Sequence, residues 1–349
     1  MRPTRELWPG APLALVAAAL FGASTPLAKA LLGEISPWLL AGLLYLGSGI
    51  GLAALLPFRR RAHEAPLRRA DWPWLAAIVL AGGVIGPVLL MLGLAASEAS
   101  SASLLLNLEG VLTLAIAWIV FRENVDLRVG VGAAAILGGA LLLSWDGRIG
   151  GLGPGALAIA GACLAWAIDN NLTRKVSGAD PLQIAALKGL AAGGVNVALA
   201  LLLHAEWPAA SAVAAAGLIG FLGYGVSLAC FVLALRHLGT ARTSAYFSAA
   251  PFVGASIAIL GFGEAATPAF FAAAALMALG LYLHLAERHE HAHTHDSVEH
   301  EHSHSHDSHH GHAHGAGDPP GEPHTHRHAH AGLVHSHPHF PDLHHRHPH

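Results

Sequence analysis

The chain has 349 residues, 54% of them hydrophobic and only 12% charged, with a formal net charge of −3. Soluble globular domains carry about 25% charged residues, so this balance excludes a soluble enzyme or a nucleic-acid binder and requires an integral membrane protein. The net charge decides little, because 23 of the 27 histidines fall after Glu287 and imidazole titrates around pH ~6.5.

An apolar run of about 20 residues, rising ~1.5 Å per residue, spans a bilayer core. Ten such runs are predicted, at 12–32, 36–56, 72–95, 100–121, 128–145, 154–173, 181–203, 211–235, 241–262 and 267–286. The first follows Arg2 and Arg5 in the manner of a signal peptide, but its apolar character continues through Pro26 to Leu32, so it is read as a span. Arg59, Arg60, Arg61, Arg68 and Arg69, between the second and third spans, read as an anchor to anionic lipid. Trp38, Trp72, Trp74, Trp145 and Trp207 sit at span ends as interfacial anchors. Cys163 and Cys230 lie inside apolar runs, which argues against a disulfide framework.

The sequence repeats itself. Setting Phe121-Arg122-Glu123 on Phe262-Gly263-Glu264 aligns 95–144 with 236–285, and setting Pro37 on Pro181 puts Ala19-Leu20-Phe21-Gly22 on Cys163-Leu164-Ala165-Trp166. The organisation is therefore an amino-terminal segment 1–11, a first five-span repeat 12–145, a second 154–286 and a tail 287–349. Placing the amino terminus in the cytoplasm puts nearly all Lys and Arg inside. An odd number of spans per repeat then inverts the second repeat. The expected fold class is all-α integral membrane, ten transmembrane helices as two inverted five-helix repeats plus a disordered tail, in the cell (inner) membrane with both termini cytoplasmic. Inverted halves rock between inward-open and outward-open states around a site at their interface, as a carrier requires. Gly86-Pro87, Pro26 and Pro251 are candidate hinges within spans.

Leu20-Phe21-Gly22-Ala23-Ser24-Thr25-Pro26 in the first span, Trp166 at the equivalent place in the sixth, and the Glu123 and Glu264 motifs closing the fourth and ninth resemble the drug/metabolite transporter superfamily, EamA type, over about 10–286. The resemblance implies a secondary carrier that exports, or less often imports, small metabolites. Glu123 and Glu264 stand beside tight turns, where each either accepts backbone N–H groups of the following helix or serves gating or proton handling.

Ionisable residues within spans cost several kcal/mol at the bilayer centre unless paired or wetted, and three stand out. Glu109 lies near the middle of the fourth span with no evident partner, a candidate for taking up a proton or meeting a cationic group. Lys188 and Asp169 lie at comparable depth, ~10 Å and ~6 Å from the inner ends of their spans. They form either a buried ion pair or part of a cavity in which Lys188 attracts an anionic group. Asn107, Asn170, Tyr224, Tyr246, Ser24 and Thr25, with Asn171, Asn196 and Ser248, offer polar atoms for such a site or for helix-to-helix hydrogen bonds. Trp166 and Tyr246 either stack on a solute or pack the core.

From His289 onward 23 of 61 residues are histidine, nearly without apolar side chains, so the tail is predicted to be unfolded when free. Neutral imidazole suits Zn, Ni, Co and Cu, and alternating spacing lets several rings meet one ion. His291, His293, His295, His302, His304, His306, His324, His326, His328 and His330 are the candidate ligands. His289-Glu290-His291-Ala292-His293 and His300-Glu301-His302-Ser303-His304 match a zinc-protease pattern, but a tract with histidine at alternate positions produces that match by chance.

Three functions stay open. One is a carrier of small organic solutes with a metal-binding regulatory tail, needing no cofactor. Another is an efflux carrier for Ni, Co, Zn or Cu fed by the tail. The third is a membrane-anchored metal buffer without transport. No enzyme motif is found; the partners are the small-molecule substrate, the lipid bilayer and metal ions at the tail, with a homodimer left open.

Overall fold

A computed structural model describes residues 10–58, 67–121, 127–144, 153–173, 175–176, 180–285, 290–295, 299–304, 324–329 and 333–338. The first half opens with α1 (Gly10–Leu31) and α2 (Pro37–Leu55); the second opens with α8 (Pro154–Thr173) and α9 (Pro181–Leu202). Equivalent devices start α2 and α9. Proline occupies the first helical position, where its missing N–H is no loss, and the preceding side chain caps the helix: Leu39 N–H donates to Ser36 Oγ at 3.4 Å and Leu182 N–H to Asp180 Oδ1 at 3.0 Å.

The rest of the first half is α3 (Trp72–Ile78), a π-helical segment (Val79–Ile85), α4 (Gly86–Ala95), α5 (Ala99–Leu105), α6 (Leu108–Phe121) and α7 (Leu127–Ser144). The second half continues with α10 (Ala210–Gly220), a π-helical segment (Phe221–Val226), α11 (Ser227–Phe247), α12 (Ala250–Phe262) and α13 (Pro268–Leu285). Among the described residues seven segments are long and apolar enough to cross a membrane, and 250–262 and 268–284 are shorter apolar helices. The molecule is a multi-pass membrane protein.

Two boundaries differ from expectation. The run at 100–121 is not one helix but α5 and α6, parted by a turn at Leu106-Asn107. Between 235 and 241, where a break is expected, helical turns run on through α11 from Ser227 to Phe247. The chain nonetheless doubles back there. Phe231 and Phe247 would lie ~24 Å apart along a straight helix, yet their ring centroids are 4.9 Å apart.

The halves interleave. α2 packs on α9, α7 on α13, α1 on α11 and α12, and α8 on α4 and α6. Exchanging the halves maps this set of contacts onto itself. A Cβ added to Gly42 would meet Val197 and Gly193, while one on Gly49 would meet Gly189 and Leu190, so residue numbers climb along α2 as they fall along α9. In the same way Gly132 faces Gly280 and His284, whereas Gly139 faces Ala273 and Met277. Equivalent helices thus run antiparallel. Small residues let these backbones approach and gain van der Waals contact, which lipid alone does not drive.

The tail departs from the expected disorder in its described residues. β1 (Glu290–His295) pairs antiparallel with β4 (Leu333–Pro338), and β2 (Glu299–His304) with β3 (His324–Ala329). Alternation of histidine with small or polar residues has the two-residue period of a strand. The register sets His291 opposite His337, His293 opposite His335, His300 opposite His328, His302 opposite His326 and His304 opposite His324. His306 and His330 lie outside the described residues.

Candidate functional site

The site begins with a proline. In the first π-helical segment Gly86 N–H donates to Ala81 O, five residues back, so the carbonyl of Gly82 loses its ordinary α-helical donor. The next residue in register, Pro87, has no N–H to offer either Gly82 or Gly83. A free carbonyl within a membrane helix costs several kcal/mol unless a neighbour satisfies it. Three neighbours do. Tyr45 Oη donates to Gly82 O at 2.8 Å, Trp166 Nε1 to the same oxygen at 2.9 Å, and Asn196 Nδ2 to Gly83 O at 3.0 Å. These donors come from α2, α8 and α9, so the distortion is anchored in both halves.

The second π-helical segment lies where an offset of 141 residues, the one relating Glu123 to Glu264, carries the first. No proline accompanies it, and nothing in its sequence explains the wide turn. Tyr224 within it faces Tyr45 at 5.7 Å and Phe21 at 5.8 Å between ring centroids. Tyr45 therefore touches both distorted segments, through its hydroxyl on one and its ring on the other.

Next to the first segment, Lys188 and Asp169 form an ion pair, their side chains 20% and 6% exposed. Thr173 Oγ1 donates to Asp169 Oδ1 at 3.3 Å, and the absent side chain of Gly82 makes room for the carboxylate. Glu109, expected from the sequence to lack a partner, has one. Asn170 Nδ2 donates to its Oε1 at 2.9 Å and approaches Thr113 Oγ1 at 3.4 Å, while Asn171 Nδ2 reaches Thr113 O at 3.2 Å. Glu109 sits in the first turn of α6, which starts inside a span because α5 ends early.

Trp166, Asp169, Asn170, Lys188 and Glu109 are thus gathered about α8. Tyr224 belongs to the other π-helical segment; Ser24, on α1, is buried against Gly223 of that segment and donates its hydroxyl to Phe21 O at 2.6 Å, and Thr25, also on α1, is buried. Two candidates stand apart: Asn107 turns to Leu104 O at 2.9 Å and to Met277 on α13, and Tyr246 packs with Ala14 and Ala234. Tyr45 and Thr113 were missed. A tyrosine in an apolar run carries no signal of its own; only the unpaired carbonyls 37 residues away call for it.

Glu264 caps a helix, though not the following one. Ala99 N–H donates to its Oε1 at 2.7 Å and Ser100 N–H to its Oε2 at 2.8 Å, at the start of α5 in the other half. Gly263, at φ +71°, is the left-handed cap that turns α12 so the carboxylate reaches across. Glu123 lies outside the described residues. Burial pushes the Glu264 carboxyl up, but the Ser100 hydroxyl, the two backbone N–H groups and the Glu98 side chain outweigh it and hold the group below its ordinary value of 4.5. A lowered carboxylate adds stability above its ordinary value and loses it as pH falls through the folded value. Thermal stability in detergent is therefore expected to be level at neutral pH and to decline below about pH 4.5, with a shallower decline in Glu264→Gln. An unchanged profile in that variant would remove the assignment.

Antiparallel halves whose helices are broken at matching positions, with charged and amide side chains at the first break, are a construction found in transporters. A model of the EamA-like transporter family matches the chain twice, over residues 8–145 and 153–286. The chain belongs to that family. It is 27% identical over 275 residues, 73% of this chain and 80% of the other, to an uncharacterized transporter of Methanothermobacter thermautotrophicus. Over 107 residues, 30% of this chain and 91% of the other, it is 36% identical to a probable 4-amino-4-deoxy-L-arabinose-phosphoundecaprenol flippase subunit ArnE of Pseudomonas fluorescens. A solved structure described only as a crystal structure of protein shares the fold, with a TM-score of 0.57 at 22% identity over 78% of this chain and 95% of that one.

Proposed function

We propose that the protein is a secondary exporter of small organic solutes working by alternating access, its ten passes arranged as two inverted five-helix repeats, 12–145 and 154–286. Both termini lie in the cytoplasm and the chain resides in the inner membrane. The observation that carries this reading is the meeting of Glu109, Asn170, Asp169 and Lys188 beside the Gly82 distortion, between halves that run antiparallel. Asp169 and Lys188 neutralise each other, and among the described residues no cation is bonded to the Glu109 carboxyl. That carboxyl takes up a proton or meets a cationic group on the solute during the cycle. The histidine tail, 287–349, binds Zn, Ni, Co or Cu and regulates the carrier; the pairing of histidine opposite histidine in both ladders supports this role.

The test is a reconstituted transport assay with amino acids, nucleosides, organic cations and the four metals, followed by a pH-sensitive dye. Glu109→Gln is expected to cut transport on the order of tenfold and abolish its dependence on the proton gradient. A chain lacking 289–349 is expected to keep organic-solute transport but lose its response to metal. A Glu109→Gln protein with unchanged rate and pH dependence would take Glu109 out of the mechanism, and metal transport lost with the tail would favour metal efflux instead.

A further inference from the structure

Between α4 and α5 the chain turns in only three residues, Ala96, Ser97 and Glu98, and both helix ends at this turn are finished by side chains from elsewhere. The carboxyl end of α4 exposes unpaired carbonyls and a partial negative charge. Lys29, from α1, covers them: its Nζ donates to Leu94 O at 2.7 Å, to Ser97 O at 2.9 Å and to Ala95 O at 3.4 Å. The amino end of α5 has no side-chain cap of its own, because Glu98 at the cap position makes no capping bond. Glu264, from the turn between α12 and α13, supplies it through both carboxylate oxygens.

One turn is thus gripped by a cation on its negative side and an anion on its positive side. The cation comes from the first half and the anion from the second. Charge-assisted bonds of this kind are roughly twice as strong as neutral ones. The grip also lies in line with the interior. Ser103, one turn along α5 from Glu264's partners, is 1% exposed with an unbonded hydroxyl, wedged against Gly254 of α12.

We propose that Lys29 and Glu264 together form the closed gate on the face where the α4–α5 turn lies, opposite the termini, and that both must release the turn for solute to pass on that side. The proposal rests on the alternating-access reading. It assigns to Glu264 a task beyond capping: the bond joins the halves, so separating α12 from α5 breaks it. The Lys29 bonds likewise yield when α1 parts from α4.

The experiment needs no known substrate. Ser103→Cys in the full chain is labelled with a membrane-impermeant maleimide, in intact cells and in inverted vesicles, with the chain carrying only Cys163 and Cys230 as background. Adding Glu264→Gln or Lys29→Met is expected to raise the labelling rate from the gated face about fivefold or more and to lower it from the other face. Lys29→Arg, which keeps donors for the carbonyls, is expected to restore the original rate. Simple loosening would raise labelling from both faces together, and that result overturns the proposal, as does an unchanged rate from the gated face in a folded double variant. Should the double variant aggregate, the single variants decide by the same criterion. Labelling of Ser103→Cys from the termini face without gate substitutions reports on alternating access itself. Its absence would count against the carrier reading and not against the gate.

Discussion

Replacing Asp169 by alanine is expected to cost roughly 3–5 kcal/mol, among the largest single effects in the chain, because it strands the Lys188 ammonium in a low-dielectric setting. The Asp169 side chain is 6% exposed and that of Lys188 20%, so little water reaches the pair. Gly83 and Ala192 lie alongside, and neither offers an acceptor side chain. Removing both charges together, as in Asp169→Asn with Lys188→Met, should recover most of the loss, since a buried pair contributes little net stability while a widowed charge costs much. Thermal unfolding in detergent measures both. A single variant within about 1 kcal/mol of the parent, or a double variant no better than the single, would show that the pair is solvated and not a buried partnership.

The second large effect belongs to the seam between α2 and α9. A Cβ on Gly189 would stand 2.7 Å from Gly49 Cα, 2.7 Å from Gly49 N and 2.9 Å from Tyr45 O, all backbone atoms that no rotamer change can move. Gly189→Val must therefore push the helices apart, at a cost of about 3 kcal/mol or more in lost packing. Because Tyr45 hangs from the same stretch of α2, its hydroxyl would also leave Gly82 O. Gly194→Val is the control: nothing lies within 4 Å of a Cβ there, so it should behave as the parent. Equal damage from both substitutions would mean the two halves do not meet along Gly189. Size-exclusion profiles and unfolding temperatures distinguish the outcomes.

Much of the plan is legible in the order of residues, and the particular failures are instructive. Ser36-Pro37 and Asp180-Pro181 announce their helices because caps and prolines act on the next turn. The depth match between Asp169 and Lys188 followed from the rise of a helix alone. Glu109's partner was not found that way, since Asn170 lies 61 residues on and the packing of α6 on α8 brings them together. Glu264 looked like a cap for the helix after it, as local reasoning would have it; its acceptor oxygens instead serve a helix 164 and 165 residues away. Pro87 was legible as a hinge, but the donors that make its free carbonyls tolerable were not.

By itself the sequence determined the membrane class, the doubled architecture and the few ionisable groups at depth, because apolar length, helical rise and self-similarity are properties of a linear chain. Only the tertiary structure decided which polar group answers which: that Tyr45 and Trp166 share one carbonyl, that Lys29 and Glu264 hold one turn, and that β1 finds β4. In lipid each backbone or charged group must meet a partner inside the protein. Where that partner comes from the other half, its identity depends on how two antiparallel bundles interlock.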